Sequence, residues 1–566
     1  MTRWGPADLG EGRWRFRLWA PDRVAVTLER DGAEPVPMTA AQDGWFFADA
    51  AAAPGTLYRF RLDADLAVPD PASRRQSGGV HGWSVVTPLT PPTSWRGRPW
   101  RETVIYELHA GLCGGFAGVA ARLADLKTIG VTAVELMPVN AFSGSRNWGY
   151  DGVLPFAPAE AYGSPDDLRA LVAAAHEHGL MIFLDVVYNH FGPDGNYLGA
   201  YASAFFHPER QTPWGGAVAV DRPAVAAFFR ENTLMWLNDY GFDGLRFDAV
   251  HAIGDDIFLD QLARDIRAAV APGRHVHLML ENERNDAARL SPDRYDAQWN
   301  DDFHNVLHVL LTGETDAYYQ DFADRPTEKL ARCLGEGFIY QGDPSPHQKG
   351  ATRGSPSGHL PPTAFIAFLQ NHDQTGNRAL GDRLIRLTDP DRLKAATALL
   401  LLMPQIPMLF MGEEVGAQNP FLFFTDFHDD LATIVREGRR REFAGFSAFA
   451  SEEARAHIPD PNTLATFEQA RVVPGVDATE WRLFYRSLLD LRHTHIVPGL
   501  DGCRPLGAQA LSDKAVLARW RLGGGEALTI LLNLGTEPVP ADSGAPLFTI
   551  GAPGGPASCT AWIAPA

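Results

Sequence analysis

Arg246 and Asp248 stand two apart in GFDGLRFDAVHAI, residues 241–253. Residues 244–247 alternate small, apolar, charged and apolar, as a short buried strand does, and Asp248 stands where that strand should end. A carboxylate there, with a guanidinium two residues back on the same face, is costly in a core and useful in a site. A structural ion pair fits the same two residues, so the rest of the chain must separate the two readings. Three more apolar runs end in polar clusters: LMIFLDVVYNH with Asp185, Asn189 and His190; HVHLMLENE with Glu281 and Glu283; and FIAFLQNHDQTGN with Asn371, His372, Asp373, Gln374 and Asn377. Four such clusters are more than a single core hydrogen-bond network explains. Carboxylates converging without a cysteine or a dense histidine set suit acid/base or carboxylate-nucleophile chemistry rather than zinc. Cleaving a glycosidic bond needs this equipment: one ionised carboxylate, one carboxylic acid, and hydrogen-bond partners for hydroxyls. Glu281 follows its apolar run directly and is expected at the strand tip. Glu283, two residues on, is expected in the loop.

Elements that alternate strand and helix must position these clusters. From Thr103, VIYELHA, a helix near 119–129, VTAVELMPV, a helix at 165–178, LMIFLDVVYN, a helix near 224–239, the strand at Gly244, a helix at 255–270, HVHLMLEN, FIAFLQNHD and IPMLFMGEE follow in order. This alternation predicts an α/β fold, a (β/α)8 TIM barrel, with the clusters at the ends of its third, fourth, fifth and seventh strands. The strands read as continuous apolar runs, as a sheet buried on both faces requires. Before the barrel, short alternating runs such as RWRFRLWAP and TLYRFRLD predict a β-sandwich over residues 1–95, with Pro88, Pro91, Pro92 and Pro99 stiffening the join. The barrel is expected over 96–496, with a Gly-, Pro- and aromatic-rich loop subdomain near 190–223. Alternation returns in AVLARWRL and ALTILLNLG, which predicts a second β-sandwich over 497–566.

The net charge of −19 argues against nucleic acid or an anionic membrane as partner. Four widely spaced cysteines give no zinc or disulfide pattern, and no metal or cofactor is expected. The start MTRWGPADLGEG has no apolar signal core, and residues 395–411 are broken by prolines, so a cytoplasmic protein is expected.

Residues 185–190, 244–251, Glu281 and 368–373 together resemble the ordered motifs of the α-amylase family of glycoside hydrolases. The resemblance implies Asp248 as nucleophile, Glu281 as acid/base, and Asp373 as the carboxylate that binds and distorts the sugar. It also implies Arg246 beside the nucleophile, His190 and His372 bonding hydroxyls of the cleaved sugar, Tyr150 of NWGYDG as a stacking platform, and Asp185 and His251 as further substrate-binding residues. VPDPASRRQSGGVHGWS, GPDGNYL, TPWGGAV, WNDDFHN, LTGE and GEEVGAQNPFLFFTDF resemble a trehalose-releasing branch of that family. What that branch implies is hydrolysis of the α-1,4 bond next to the terminal trehalose of maltooligosyltrehalose, α-glucans as ligands, and functional pairing with maltooligosyltrehalose synthase. The trehalose end would then meet residues 300–304, with Asp302 and His304 as polar contacts, followed by Gln374 and Asn377. Asp301, Asp302 and His304 are also open to a helix-capping role. A glycogen branching or debranching enzyme would carry the same carboxylates. A catalytically silent glucan-binding protein would lack one of Asp248, Glu281 and Asp373, and all three are present.

Overall fold

A computed structural model describes residues 4–90, 94–212 and 215–565. Pro91 and Pro92 of the expected stiff join, and Pro213 and Trp214 of TPWGGAV, lie outside the described residues.

Eight parallel strands close into a barrel: β1 Ile105–Leu108, β2 Ala133–Leu136, β3 Met181–Val186, β4 Gly244–Phe247, β5 His277–Leu280, β6 Ala297–Trp299, β7 Phe365–Ala367 and β8 Ile406–Phe410. Register closes the ring, with Ile105 opposite Met408. The strands are buried throughout because helices cover them outside and side chains fill them inside. The interior has two characters. Ile105, Met181, Phe183, Met279, Ile366, Ile406 and Met408 form an apolar plug, with Trp95 and Trp100 packed against it. Above it, Glu107, Glu135, Asp185 and Arg246 come from successive strands that pair in parallel register. The run at 395–411 is the helix Pro390–Leu402 leading into β8. The helix expected near 119–129 is two, Gly115–Ala120 and Leu123–Ile129.

The N-terminal module is two facing antiparallel sheets, one led by Arg13–Trp19 on Trp45–Ala51, the other by Thr27–Arg30 on Leu57–Arg61. Trp4 fastens it to the barrel. Its backbone N–H donates to Glu231 Oε2 at 2.9 Å, its indole N–H to the Ala224 carbonyl at 3.1 Å, and its ring meets Phe228 edge-on. The loop after β3 carries a short ribbon, Phe206–Thr212 with Gly215–Val218. The C-terminal module is one five-stranded antiparallel sheet. Its covering layer comes from the barrel helices Pro326–Glu336 and Pro390–Leu402, and the Trp520 indole donates to the Leu334 carbonyl. Helices can take the place of a second sheet because each offers one apolar stripe of matching width.

Candidate active site

Arg246 points up the barrel from β4 and is fully buried. Its Nη1 donates to both oxygens of Asp185, at 2.9 and 2.8 Å, and to Asp248 Oδ1 at 2.7 Å. Its guanidinium lies 4.2 Å from the Trp299 ring centre, and its Nη2 is 3.7 Å from Glu281. Asn189 donates to Asp248 Oδ2 at 2.8 Å. Both oxygens of Asp248 are thus oriented by fixed donors. The Tyr150 hydroxyl donates to Asp185 Oδ2 at 2.6 Å, and its ring stacks on His372. Burial pushes Asp185 up to about 6, against the pull of Arg246.

Immediately after Asp248 the chain turns sharply. Ala249 has φ 41° and ψ 48°, a left-handed conformation that is costly for a residue with a Cβ. That turn aims the Ala249 N–H at Glu281 Oε2, at the tip of β5. Burial pushes Glu281 up to about 8, with Asp248, Asp301 and Asp373 adding to the rise and Arg246 opposing it. The shift favours the carboxylic acid form at neutral pH. Glu283 is loop-borne and exposed, touching Gln348 at 3.0 Å and His251 at 3.7 Å.

Asp373 follows β7 at the start of a one-turn helix, His372–Gly376, which Asn371 caps by accepting from the Asp373 and Gln374 N–H groups. Burial pushes Asp373 up, but His372 outweighs it and the carboxyl lies below its usual range. Burial works against a charged His372, yet Asp373 and Glu107 hold it well above the ordinary histidine value. Its Nδ1 pairs with Glu107, and its Nε2 is 3.3 Å from Asp373. The His190 ring is tied to Asn189 Oδ1 and to the Tyr150 carbonyl, the latter at 2.9 Å.

A cleft of about 510 Å³ opens over these strand ends. Glu281, Asp373, His251, Gln374 and Asn377 line it, with Asp301, Tyr318 and Phe446 further along. Asn377 donates to Asp373 at 3.1 Å, and Gln374 to Asp301 at 3.1 Å.

Asp302 and His304, expected as sugar contacts, are framework residues instead. Asp302 is fully buried: Oδ2 accepts from Asn285 and from the Ile339 and Tyr340 N–H groups, and Oδ1 is 3.0 Å from Arg353. His304 is fully enclosed between the Leu369 carbonyl and the Tyr319 hydroxyl. The carboxylate that reaches the cleft is Asp301, pushed up to about 7 by burial and by Asp373. The helix Asp301–Thr312 starts after Asn300 without a side-chain cap, so neither aspartate serves there. Sequence reasoning also passed over Glu107 and Glu135. Their signal was present: a glutamate inside an otherwise apolar parallel strand, as unusual as Arg246. Burial, with Glu107 and Asp185 nearby, raises Glu135 well above the usual carboxyl range. Among the described residues no cluster of His, Cys, Asp or Glu could hold a metal ion.

The model of the alpha amylase catalytic domain matches residues 75–212. A malto-oligosyltrehalose trehalohydrolase of Deinococcus radiodurans is 38% identical over 558 residues, covering 95% of this chain and 90% of that one. Another, of Saccharolobus solfataricus, is 38% identical and covers 86% of each chain. The chain belongs to the malto-oligosyltrehalose trehalohydrolase family. It is thereby a glycoside hydrolase of the α-amylase family, with an α-glucan as substrate. A 1,4-alpha-glucan branching enzyme of Bordetella parapertussis is 34% identical over only 42% of the chain, far short of the trehalohydrolase coverage. The crystal structure of a putative alpha amylase from Salmonella typhimurium superposes over the whole of both chains with a TM-score of 0.94 and 44% identity. A pullulanase from Anoxybacillus, at a TM-score of 0.72 and 19% identity, shares the fold. Residues 503–562 match a domain of unknown function, DUF3459.

Proposed function

We propose that the chain hydrolyses the α-1,4-glucosidic bond next to the terminal trehalose unit of maltooligosyltrehalose, releasing trehalose and a maltooligosaccharide with retention of configuration. The observation that carries this reading is similarity to trehalohydrolases along almost the whole chain. The cleft supplies the parts. Asp248, oriented by Arg246 and Asn189, attacks the anomeric carbon. Glu281 accepts the Ala249 N–H on Oε2, so Oε1 carries the proton that passes to the departing trehalose oxygen. Glu281, now a carboxylate, then takes a proton from the water that opens the glycosyl-enzyme. In retaining enzymes the two carboxyls stand about 5 to 5.5 Å apart. Asp373 holds hydroxyls of the cleaved sugar with His372 beside it, Tyr150 stacks on its ring, Asp185 keeps Arg246 in place, and His190, whose ring nitrogens are both engaged, holds Asn189 and the Tyr150 backbone rather than the sugar. His251, Gln374, Asn377 and Asp301 face the trehalose side.

Substrate produced by maltooligosyltrehalose synthase, and a cytoplasmic location, complete the proposal. Four unpaired cysteines fit a reducing compartment, and among the described residues no helix is long and apolar enough to cross a membrane. The test is kcat/KM on maltotriosyltrehalose and on the maltooligosaccharide of equal length, with products resolved by chromatography. Trehalose release should dominate. Equal rates on both would make this a general α-glucan hydrolase, and chain transfer without net hydrolysis would make it a branching enzyme.

A further inference from the structure

A second cavity, of about 440 Å³, lies beneath the barrel, on the face away from the strand ends that carry the carboxylates. Its walls come from the segments that lead into β1, β3, β4 and β5. They include Ser94, Trp95, Arg96, His176, Asn238 and Arg274, with no carboxylate among the described lining residues. In a chain of net charge −19 such a pocket is not part of a generally basic surface.

Among the described residues, neither of its arginines makes an ion pair. Arg274 is half-buried and, among the described residues, donates only to neutral groups, the Phe242 carbonyl at 2.7 Å and Asn238 at 3.4 Å. Burial pulls it below the usual guanidinium range, with Asp243 opposing. Asp243, the nearby carboxylate, is already committed: it accepts from the Trp95 indole at 2.8 Å and the Ile182 N–H at 3.0 Å, and pairs with His176 Nε2 at 2.9 Å. Arg96 is exposed, and its guanidinium has no hydrogen-bond or ion-pair partner among the described residues. His176 is buried under the stacked Trp95 ring, and its Nδ1 has no partner either.

We propose that this cavity binds a phosphate group, held between Arg96 and Arg274 with Ser94 and Asn238 as neutral partners. Arg96 and Arg274 line the cavity from separate segments, phosphate offers oxygens enough for both, and charge-assisted bonds of this kind are the strong ones. The volume exceeds that of one phosphate, which leaves room for a sugar esterified to it.

The test is calorimetric titration of the full chain with inorganic phosphate and with glucose 1-phosphate, at constant ionic strength and with sodium chloride as control. Saturable binding with a Kd in the millimolar range or tighter is expected. Arg96→Gln and Arg274→Gln should each weaken it about tenfold, the size of one charge-assisted contact. Arg96→Gln should leave phosphate-free kcat/KM for trehalose release unchanged, because it lies across the barrel from the carboxylates. Tighter binding of the ester identifies a sugar phosphate as ligand, and equal binding identifies phosphate alone. Absence of saturable binding by both, or unchanged affinity in the exposed Arg96→Gln variant, overturns the proposal.

Discussion

Two arginine–carboxylate clusters sit a short way apart above the barrel, and they use the same groups for different ends. Arg246 with Asp185, Asp248 and Glu281 forms one; Arg353 with Asp302 forms the other. In the second, Asp302 has no exposed surface, and donors from Asn285, Ile339, Tyr340 and Arg353 surround its oxygens. In the first, Asp248 and Glu281 keep 13% and 16% of their side chains exposed. The framework carboxylate is sealed from solvent among the protein's own donors and its arginine. A reactive one is gripped at some lone pairs and left open at others. Residue type and charge partner alone do not tell the two apart.

The difference can be broken most directly at the reactive pair. Asp248→Asn and Glu281→Gln should each lower kcat by several orders of magnitude while the thermal midpoint stays near wild type, because only the open cluster does chemistry. A variant that keeps near wild-type turnover would end the assignment. Next in size is Asp302→Ala. It strands a buried Arg353 and should destabilise the fold by about 3 to 5 kcal/mol, read by denaturant unfolding. Asp301→Asn should leave stability alone and cut kcat/KM on maltotriosyltrehalose about ten- to a hundredfold, the loss of one hydrogen bond to a charged group (~1.5 to 3 kcal/mol). The reverse pattern would restore Asp302 as the sugar contact. The smallest effect is on pH. Glu281 must be protonated to act as acid and its carboxyl is pushed up to about 8. Activity should therefore persist through neutral pH and fall as pH rises through about 8 in kcat/KM profiles of the free enzyme. A basic limb below pH 6 would show that the acid is elsewhere.

The strand-end clusters were legible because an apolar parallel strand leaves few places for charge. Asp248, Glu281 and Asp373 each follow an apolar run, and the structure brings all three to one end of the barrel. The choice between Asp301 and Asp302 was not legible. Neighbouring helix positions face directions about 100° apart, and which of them is inward depends on Arg353, contributed by a distant hairpin. Glu107 is a different case. Its oddity inside VIYELHA could be read, but its partner His372 comes from the far end of the barrel domain, and only closure of the ring makes them neighbours. The covering layer of the C-terminal sheet was hidden for the same reason, since helices of the preceding domain supply it.

The left-handed turn at Ala249 has a consequence for how such an enzyme can change. Besides the Arg246 side chain that lies between them, Asp248 and Glu281 are linked through the Ala249 main-chain N–H, so backbone as well as Arg246 sets the spacing of the two reactive groups. Side chains further along the cleft, away from Arg246, can then be exchanged, altering which sugars are welcomed, without disturbing the distance over which the bond is broken. The turn separates the inheritance of chemistry from the inheritance of taste.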